Sequence, residues 1–215
     1  MKKCIGILGG TFNPIHHGHL RMAQELADAL GFDEVRFIPS ASPPHRTTPE
    51  VSAEHRAAMV QLAIADNPLF KLDMRELART GASYMIDTLI SLREELGEHA
   101  ALCLIMGSDA FVKLDTWHHW QKLLDYCHII LVQRPNISPD LPRLSAKLTS
   151  LLHDHYTENV DDLTEKTTGY IHMQKITPLD ISATRIRESL KACHSVRYLM
   201  PESVITYIAT HKLYG

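Results

Sequence analysis

The sequence predicts an α/β fold, a doubly wound and mainly parallel sheet with a small helical part near its carboxyl end. Short β-branched or aliphatic runs alternate along the chain with longer segments whose apolar residues recur at helical spacing. The longest apolar run, residues 100–107, is unbroken, as strands at the centre of a parallel sheet are. No internal repeat is evident, so we expect one domain over residues 1–215.

The first part of the chain predicts strands and helices in close alternation. The helix after the first strand has apolar residues three and four apart, and Gly31 ends it. Residues 42–46 include two prolines and predict a loop after the second strand, because proline has no N–H to donate to a sheet ladder. The predicted elements are strands at residues 4–8, 34–39 and, more weakly, 70–77, and helices at residues 18–30 and 52–65.

The second part of the chain continues the pattern with one polar interruption. Ser83 is the expected N-cap of a helix that runs to Leu96, where Gly97 closes it. Residues 137–169 are polar, with weak helical spacing at 144–152 that predicts a peripheral helix. The remaining predictions are strands at residues 101–106, 128–132 and 170–176, and helices at residues 116–124, 182–192 and 201–211.

Composition excludes several classes of protein. Of the 215 residues, 45% are hydrophobic and 22% charged, which argues against disorder, and a net charge of −3 argues against binding nucleic acid or anionic lipid through bulk charge. No apolar run reaches the roughly 20 residues of a membrane span, and the basic start precedes too short an apolar run for a secretory signal. Four dispersed cysteines indicate free thiols. We therefore expect a cytoplasmic protein without nucleic-acid or membrane partners; a homo-oligomer is possible.

The segment between the first strand and the first helix predicts a phosphate site. Residues 9–19 are Gly-Gly-Thr-Phe-Asn-Pro-Ile-His-His-Gly-His, at the strand end where open α/β sheets bind ligands. Glycines permit close approach to a ligand, and a helix start attracts anions. His16 and His19 lie on one helical face, with Gly18 leaving space between them. The alternatives are two surface histidines at a tight turn, or a metal site with His17, whose spacing is not that of zinc proteases.

A second segment near the carboxyl end has similar chemistry. Residues 181–187 are Ile-Ser-Ala-Thr-Arg-Ile-Arg, with Ser182 as the expected N-cap, Thr184 in the first turn and Arg187 one turn further on. Hydroxyl groups, free N–H groups and a guanidinium at a helix start can clamp a phosphate. The alternative is a well-capped amphipathic helix.

Together these two segments resemble the signatures of the nucleotidylyltransferase superfamily, (T/H)-x-G-H after the first strand and I-S-x-T-x-x-R near the end. The segments between them are similar to the bacterial nicotinate-nucleotide adenylyltransferase family, so that the resemblance covers essentially the whole chain. These intermediate segments are residues 43–46, 83–89, 107–109, 115–117 and 134–135. The dinucleotide fingerprint G-x-G-x-x-G and the Walker phosphate loop are both absent.

The resemblance implies a Rossmann-like nucleotidyltransferase fold and a reaction. The enzyme would move AMP from ATP to nicotinate mononucleotide, giving deamido-NAD and pyrophosphate in NAD biosynthesis, by direct in-line attack without a covalent enzyme intermediate. Mg²⁺ would be carried with ATP, with no protein metal site, and helices over residues 182–215 would complete the ATP site. The implied residues are His16, His19 and Arg187 for catalysis, and Gly9, Gly10, Thr11, Phe12, Gly18, Ser182 and Thr184 for ATP.

The resemblance also implies a mononucleotide site. Trp117 would stack on the pyridine ring and Asp109 would accept hydrogen bonds from the ribose; the alternatives are a core or lid aromatic and a helix cap. The full implied set is His45, Arg46, Tyr84, Met85, Gly107, Asp109, Trp117 and Arg134. The chain departs from the family pattern at Asn13, where Asp is frequent, at Ser40, often Asn, and at Met85, usually Thr.

Three other functions are weighed against this one. The same chemistry on another acceptor, nicotinamide mononucleotide or phosphopantetheine, would differ only in product. A redox enzyme on a similar sheet is disfavoured by the missing glycine fingerprint. A nucleotide sensor without activity is disfavoured by the presence of His16, His19 and Arg187.

Overall fold

One parallel sheet forms the centre of the molecule in the computed structural model, which describes residues 2–41, 49–133 and 144–215. Within these residues the sheet has seven strands in the order β3-β2-β1-β4-β5-β7-β6, and every pairing is parallel. The strands are β1 Cys4–Gly10, β2 Glu34–Pro39, β3 Phe70–Leu72, β4 Ala101–Gly107, β5 His128–Gln133, β6 Tyr156–Thr157 and β7 Ile171–Lys175.

Helices connect the strands and cover both faces of the sheet. The described helices are α1 His17–Leu30, α2 Ala53–Ile64, α3 Arg75–Ala78, α4 Met85–Leu96, α5 Ser108–Phe111, α6 Leu123–Tyr126, α7 Ala146–His155, α8 Asp162–Glu165, α9 Ala183–Lys191 and α10 Glu202–Thr210. Two 3₁₀ turns, Leu114–Thr116 and Trp120–Lys122, lie between α5 and α6. None of these helices is long and apolar enough to cross a membrane.

The apolar side chains form two cores, one on each face of the sheet. Along β4, Cys103 and Ile105 pack with α1, α2 and α10, whereas Leu102, Leu104 and Met106 pack with α4, α6 and α7. Alternation follows from the two-residue period of a strand, and both faces are buried because helices cover both. The predicted doubly wound α/β fold is confirmed.

The expected strand at residues 70–77 is wrong beyond Leu72. The chain turns instead into α3, because the Asp73 carboxylate accepts the backbone N–H of Arg75 at 3.0 Å and starts a helical turn. The expected N-cap at Ser83 is also wrong: Tyr84 precedes α4, and the Ser83 hydroxyl accepts the N–H of Ala41 at 3.1 Å. Ser83 therefore joins α4 to the end of β2.

Other predicted boundaries need correction in the second half. The single helix at residues 116–124 is broken, because His119 adopts a left-handed conformation with φ +51° between the 3₁₀ turns. The two-residue strand β6 and the one-turn helix α8 have no counterpart among the predicted elements. Ser182 does precede α9, but without a side-chain capping bond. The cysteines are free, and the Cys4 and Cys103 sulfurs lie 3.8 Å apart.

Candidate active site

The strand order places a crevice at the carboxyl ends of β1 and β4. Strand β1 pairs with β2 on one side and with β4 on the other, so the direction of winding reverses between β1 and β4. Ligands of open α/β sheets bind where this reversal occurs. The segments that follow Gly10 and Gly107 therefore face a common crevice.

A cleft of about 800 Å³ opens at this crevice, and we call it the donor cleft. It brings together the two segments that the sequence analysis singled out from opposite ends of the chain. The lining includes Gly9, Gly10, Thr11, Phe12, Asn13, His16, Gly18, His19, residues 176–184 and Arg187. All ten residues expected to bind ATP or act in catalysis therefore lie around one cavity.

The two histidines contact each other at the start of α1. The His16 and His19 rings stack with centroids 3.8 Å apart, and the His16 backbone N–H faces Nδ1 of His19 at 3.3 Å. An Nδ1 that accepts a hydrogen bond carries no proton, so the neutral His19 ring is protonated on Nε2. Phe12, buried and at φ +46°, packs its ring against the His19 ring in a T-shaped contact. His19 can thus donate a hydrogen bond from Nε2.

Arg187 connects the two ends of the chain at the donor cleft. Its Nη1 donates to the carbonyl oxygen of Asn13 at 2.8 Å, and its Nη2 lies 3.4 Å from the Thr184 hydroxyl. The side chain is half-buried and lines the cleft. A guanidinium has five N–H donors, so one that donates to a carbonyl oxygen still has N–H groups that can bind an anion.

A second cleft, of about 520 Å³, adjoins the first, and we call it the acceptor cleft. Five residues expected at the mononucleotide site line it: Tyr84, Met85, Gly107, Asp109 and Trp117. The two clefts share lining residues, namely Gly9, Gly10, Thr11, His19, Met22, Gly107 and Asp109. Molecules bound in the two clefts would therefore meet beside His19. His45, Arg46 and Arg134, the other expected residues, lie outside the described residues.

Two glycines leave space for acceptor-cleft side chains where the two clefts meet. A Cβ on Gly9 would lie 2.7 Å from Cε of Met85, and a Cβ on Gly107 would lie 2.6 Å from Oδ1 of Asp109. Both distances are shorter than a van der Waals contact, so a side chain at either position would displace a residue of the acceptor cleft. Met85, which departs from the family pattern, thus fills space against Gly9.

Sequence reasoning missed several lining residues of the acceptor cleft. The carboxyl group of Glu76 is buried, which raises its pKa, and it accepts the Thr88 hydroxyl at 2.7 Å. Lys113 adds a cation, and His118 packs its ring 4.4 Å from the Tyr84 ring. Lys113 stands four residues after Asp109, and this helical spacing could have indicated that it lies near the site. No local sequence signal indicates that Glu76 is buried.

Among the described residues, carboxylate and imidazole side chains line both clefts, but they are not grouped as a metal site. Over the described parts of the chain, no group of three His, Cys, Asp or Glu side chains is placed to hold a metal ion. A divalent cation that enters with a triphosphate needs few protein ligands, since Mg²⁺ keeps several waters and the phosphate oxygens.

Comparison with known proteins places the chain in a family. The profile of the cytidylyltransferase-like family matches residues 7–189. A protein of Aeromonas salmonicida named as a probable nicotinate-nucleotide adenylyltransferase is 48% identical over 214 residues, which cover 100% of this chain and 98% of that one. A Pseudomonas aeruginosa protein of the same name is 46% identical over the same shares of the two chains.

A solved structure has the same fold. The nicotinic acid mononucleotide adenylyltransferase of Plasmodium falciparum, complexed with NaAD, superposes with a TM-score of 0.71 at 18% identity, over 99% of this chain and 97% of that one. The fold is shared with that solved structure, and the relatives that match over the full length identify the chain as a nucleotidyltransferase. The chain belongs to the cytidylyltransferase-like family.

Proposed function

We propose that this enzyme transfers the adenylyl group of ATP to nicotinate mononucleotide, giving deamido-NAD and pyrophosphate in NAD biosynthesis. The observation that carries the proposal is the pair of clefts that share a wall at Gly9, Gly10, Thr11 and His19. A reaction between two nucleotides needs two such cavities meeting at the reacting atoms. Relatives at 46–49% identity over nearly their whole length carry the name of this activity.

MgATP occupies the donor cleft in this proposal. Its nucleoside lies over the β1–α1 segment, and its phosphates lie near His16, His19 and the start of α9. Ser182, Thr184 and Arg187 stand together there, so that hydroxyl groups, a helix start and a guanidinium meet the triphosphate charge. The helices over residues 182–215 thereby complete the ATP site of a single domain.

The chemical step needs neither a nucleophile from the protein nor a general base. A phosphate oxygen of the mononucleotide, already anionic, attacks the α-phosphorus of ATP; the bond from that phosphorus to the bridging oxygen of the β-phosphate breaks, and pyrophosphate leaves. Charge grows on the leaving group and on the α-phosphoryl oxygens. That charge is stabilised by Nε2–H of His19, the His16 ring and Arg187. Such electrostatic stabilisation contributes most of the rate enhancement in transfers of this kind.

The acceptor cleft takes the mononucleotide. The indole of Trp117, half-buried in its wall, offers a flat face to the pyridine ring, and the exposed carboxylate of Asp109 accepts from ribose hydroxyls. Burial raises the pKa of Glu76 and so favours the neutral form of its carboxyl group. The neutral form repels the carboxylate of the nicotinate ring less than a charged one would.

Product identification tests the proposal. The purified protein is incubated with ATP, Mg²⁺ and, in separate reactions, nicotinate mononucleotide, nicotinamide mononucleotide or phosphopantetheine, and the products are identified by mass. We expect deamido-NAD with pyrophosphate as the fastest product. Preferential turnover of another acceptor would refute the assigned substrate, and ATP left intact with all three would refute the assigned reaction.

A further inference from the structure

Beneath the β1–α1 segment lies a buried cation that the proposed chemistry does not use. The Arg56 side chain, on α2, is 1% exposed. Its Nη1 donates to the carbonyl oxygen of Thr11 at 2.6 Å, and its Nη2 donates to that of Ser40 at 2.7 Å. Among the residues that the structure describes, Arg56 forms no ion pair, and its Nε has no hydrogen-bond partner.

A fold under selection for stability alone would not favour this arrangement. Burying a charge without a counter-charge is costly, and burial lowers the pKa of Arg56 accordingly. The two carbonyl groups that it binds follow β1 and β2 at their carboxyl ends, and Thr11 lines both clefts. The guanidinium thus fixes the position of the segment on which both substrates converge.

Tyr214 supports the same segment from the carboxyl end of the chain. This penultimate residue is 4% exposed, and its hydroxyl donates to Oδ1 of Asn13 at 2.6 Å. Burial raises the pKa of Tyr214, so the hydroxyl remains a donor at all ordinary pH values. Because Oδ1 of Asn13 accepts this bond, the NH₂ group of the same amide is the side chain's donor. Asn13 lines the donor cleft.

We propose that Arg56 and Tyr214 are positioning residues that hold Thr11 and Asn13 in the geometry required for adenylyl transfer. Neither lines a cleft, so each acts through the backbone or amide that it binds. His16 and His19 follow within eight residues of Thr11 and are carried by the same segment. This inference rests on the proposed function for its kinetic readout.

The chain offers a matched control for each residue. Arg93 on α4 likewise donates to backbone carbonyls, those of Tyr126 and Thr167 at 2.8 Å each, Gly97 at 3.2 Å and Ala100 at 2.5 Å, but these precede β4, β5 and β7 at the amino ends of the strands. Tyr207 on α10 donates or accepts one hydrogen bond with Nδ1 of His55 at 2.9 Å, and neither residue lines a cleft. Arg93 and Tyr207, both partly buried, therefore report the loss of the same kinds of hydrogen bond outside the two clefts.

The experiment compares Arg56→Lys with Arg93→Lys, and Tyr214→Phe with Tyr207→Phe. For each full-length variant we measure the thermal unfolding midpoint, kcat, and KM for ATP and for nicotinate mononucleotide. We expect Arg56→Lys and Tyr214→Phe to lower kcat by about tenfold or more, because a small misplacement of reacting groups has effects of this size. The control variants should keep kcat within about twofold while their midpoints fall as far as those of the test variants.

Two results would overturn the inference. One is that kcat of Tyr214→Phe and Arg56→Lys stays within the range of the control variants. The other is that kcat falls only in proportion to the fraction unfolded, as a purely structural role requires. If Arg56→Lys does not fold, Tyr214→Phe decides alone, since it keeps the ring and loses only a hydroxyl. If the natural protein turns over no acceptor, the proposed function is refuted independently of this inference. The positioning role is then tested by the Kd for ATP, which should rise in the test variants only.

Discussion

At the scale of single residues, His19 stands at the centre of the site. It is the one histidine among the described residues that lines both clefts in the β1–α1 segment. Its Nδ1 faces the His16 backbone N–H, its ring stacks on His16, and the Phe12 ring makes a T-shaped contact with it. These contacts hold the ring orientation and leave the proton of the neutral ring on Nε2, so in the proposed reaction the donor would need no rearrangement as charge develops.

Replacement of His19 by alanine tests this role. We expect His19→Ala to remain folded, because its ring is only partly buried, and to lose about 10²-fold or more in kcat, since a donor to the developing charge is removed. His17→Ala is the matched control: His17 lies two residues away in the same turn and lines neither cleft. Steady-state kinetics of both variants decide; equal kcat values would contradict the role of His19.

At the scale of elements, His128 makes the pairing of β5 with β7 sensitive to acid. This residue is fully buried; its Nδ1 accepts the Tyr170 N–H at 3.1 Å and its Nε2 faces the Lys166 carbonyl at 3.3 Å. Burial lowers its pKa to about 4, and the nearby charge of Arg93 adds to this. Because the neutral ring uses both nitrogens, protonation would break the bond to Tyr170.

The expected effect is a loss of stability on acidification. The pKa in the folded state is below the value of about 6.5 in the unfolded chain, so between pH 6.5 and 4 the unfolded state binds more protons. The contribution of neutral His128 to the free energy of unfolding is complete above pH 6.5. It falls by about 3 kcal/mol at most as the pH drops to 4. Urea unfolding at several pH values measures it: the natural protein should lose this much more free energy of unfolding over that range than His128→Gln. Parallel pH curves would contradict the assignment.

Elements were predictable from sequence where the pattern is long and local. The unbroken run of β4 and the spacing in α1 gave bounds within one residue of those observed. Short elements were not: α3 begins because Asp73 accepts a backbone N–H, and β6 has two residues whose pairing depends on β7. Such elements are determined by a single hydrogen bond or by a distant strand, and neither leaves a periodic signal.

At the scale of the whole molecule, the two ends of the chain converge on one cleft. Arg187 and Tyr214 both bind Asn13, so α9 and the carboxyl end lie against the segment after β1. The place of Arg187 at the cleft was predictable, because it belongs to a recognisable phosphate-binding pattern, but its contact with Asn13 was not. The burial of Tyr214, Arg56 and Glu76 could not be predicted, because it depends on contacts between residues far apart in sequence.

The convergence of two clefts at one wall leads to the central claim that both substrates are bound together and that the adenylyl group passes directly between them. The most direct test is the stereochemical course at the α-phosphorus, followed with an ATP analogue made chiral there by sulfur and isotopic oxygen. A single in-line displacement predicts inversion of configuration in the deamido-NAD product. Retention would mean two successive displacements through a covalent enzyme intermediate and would contradict the account.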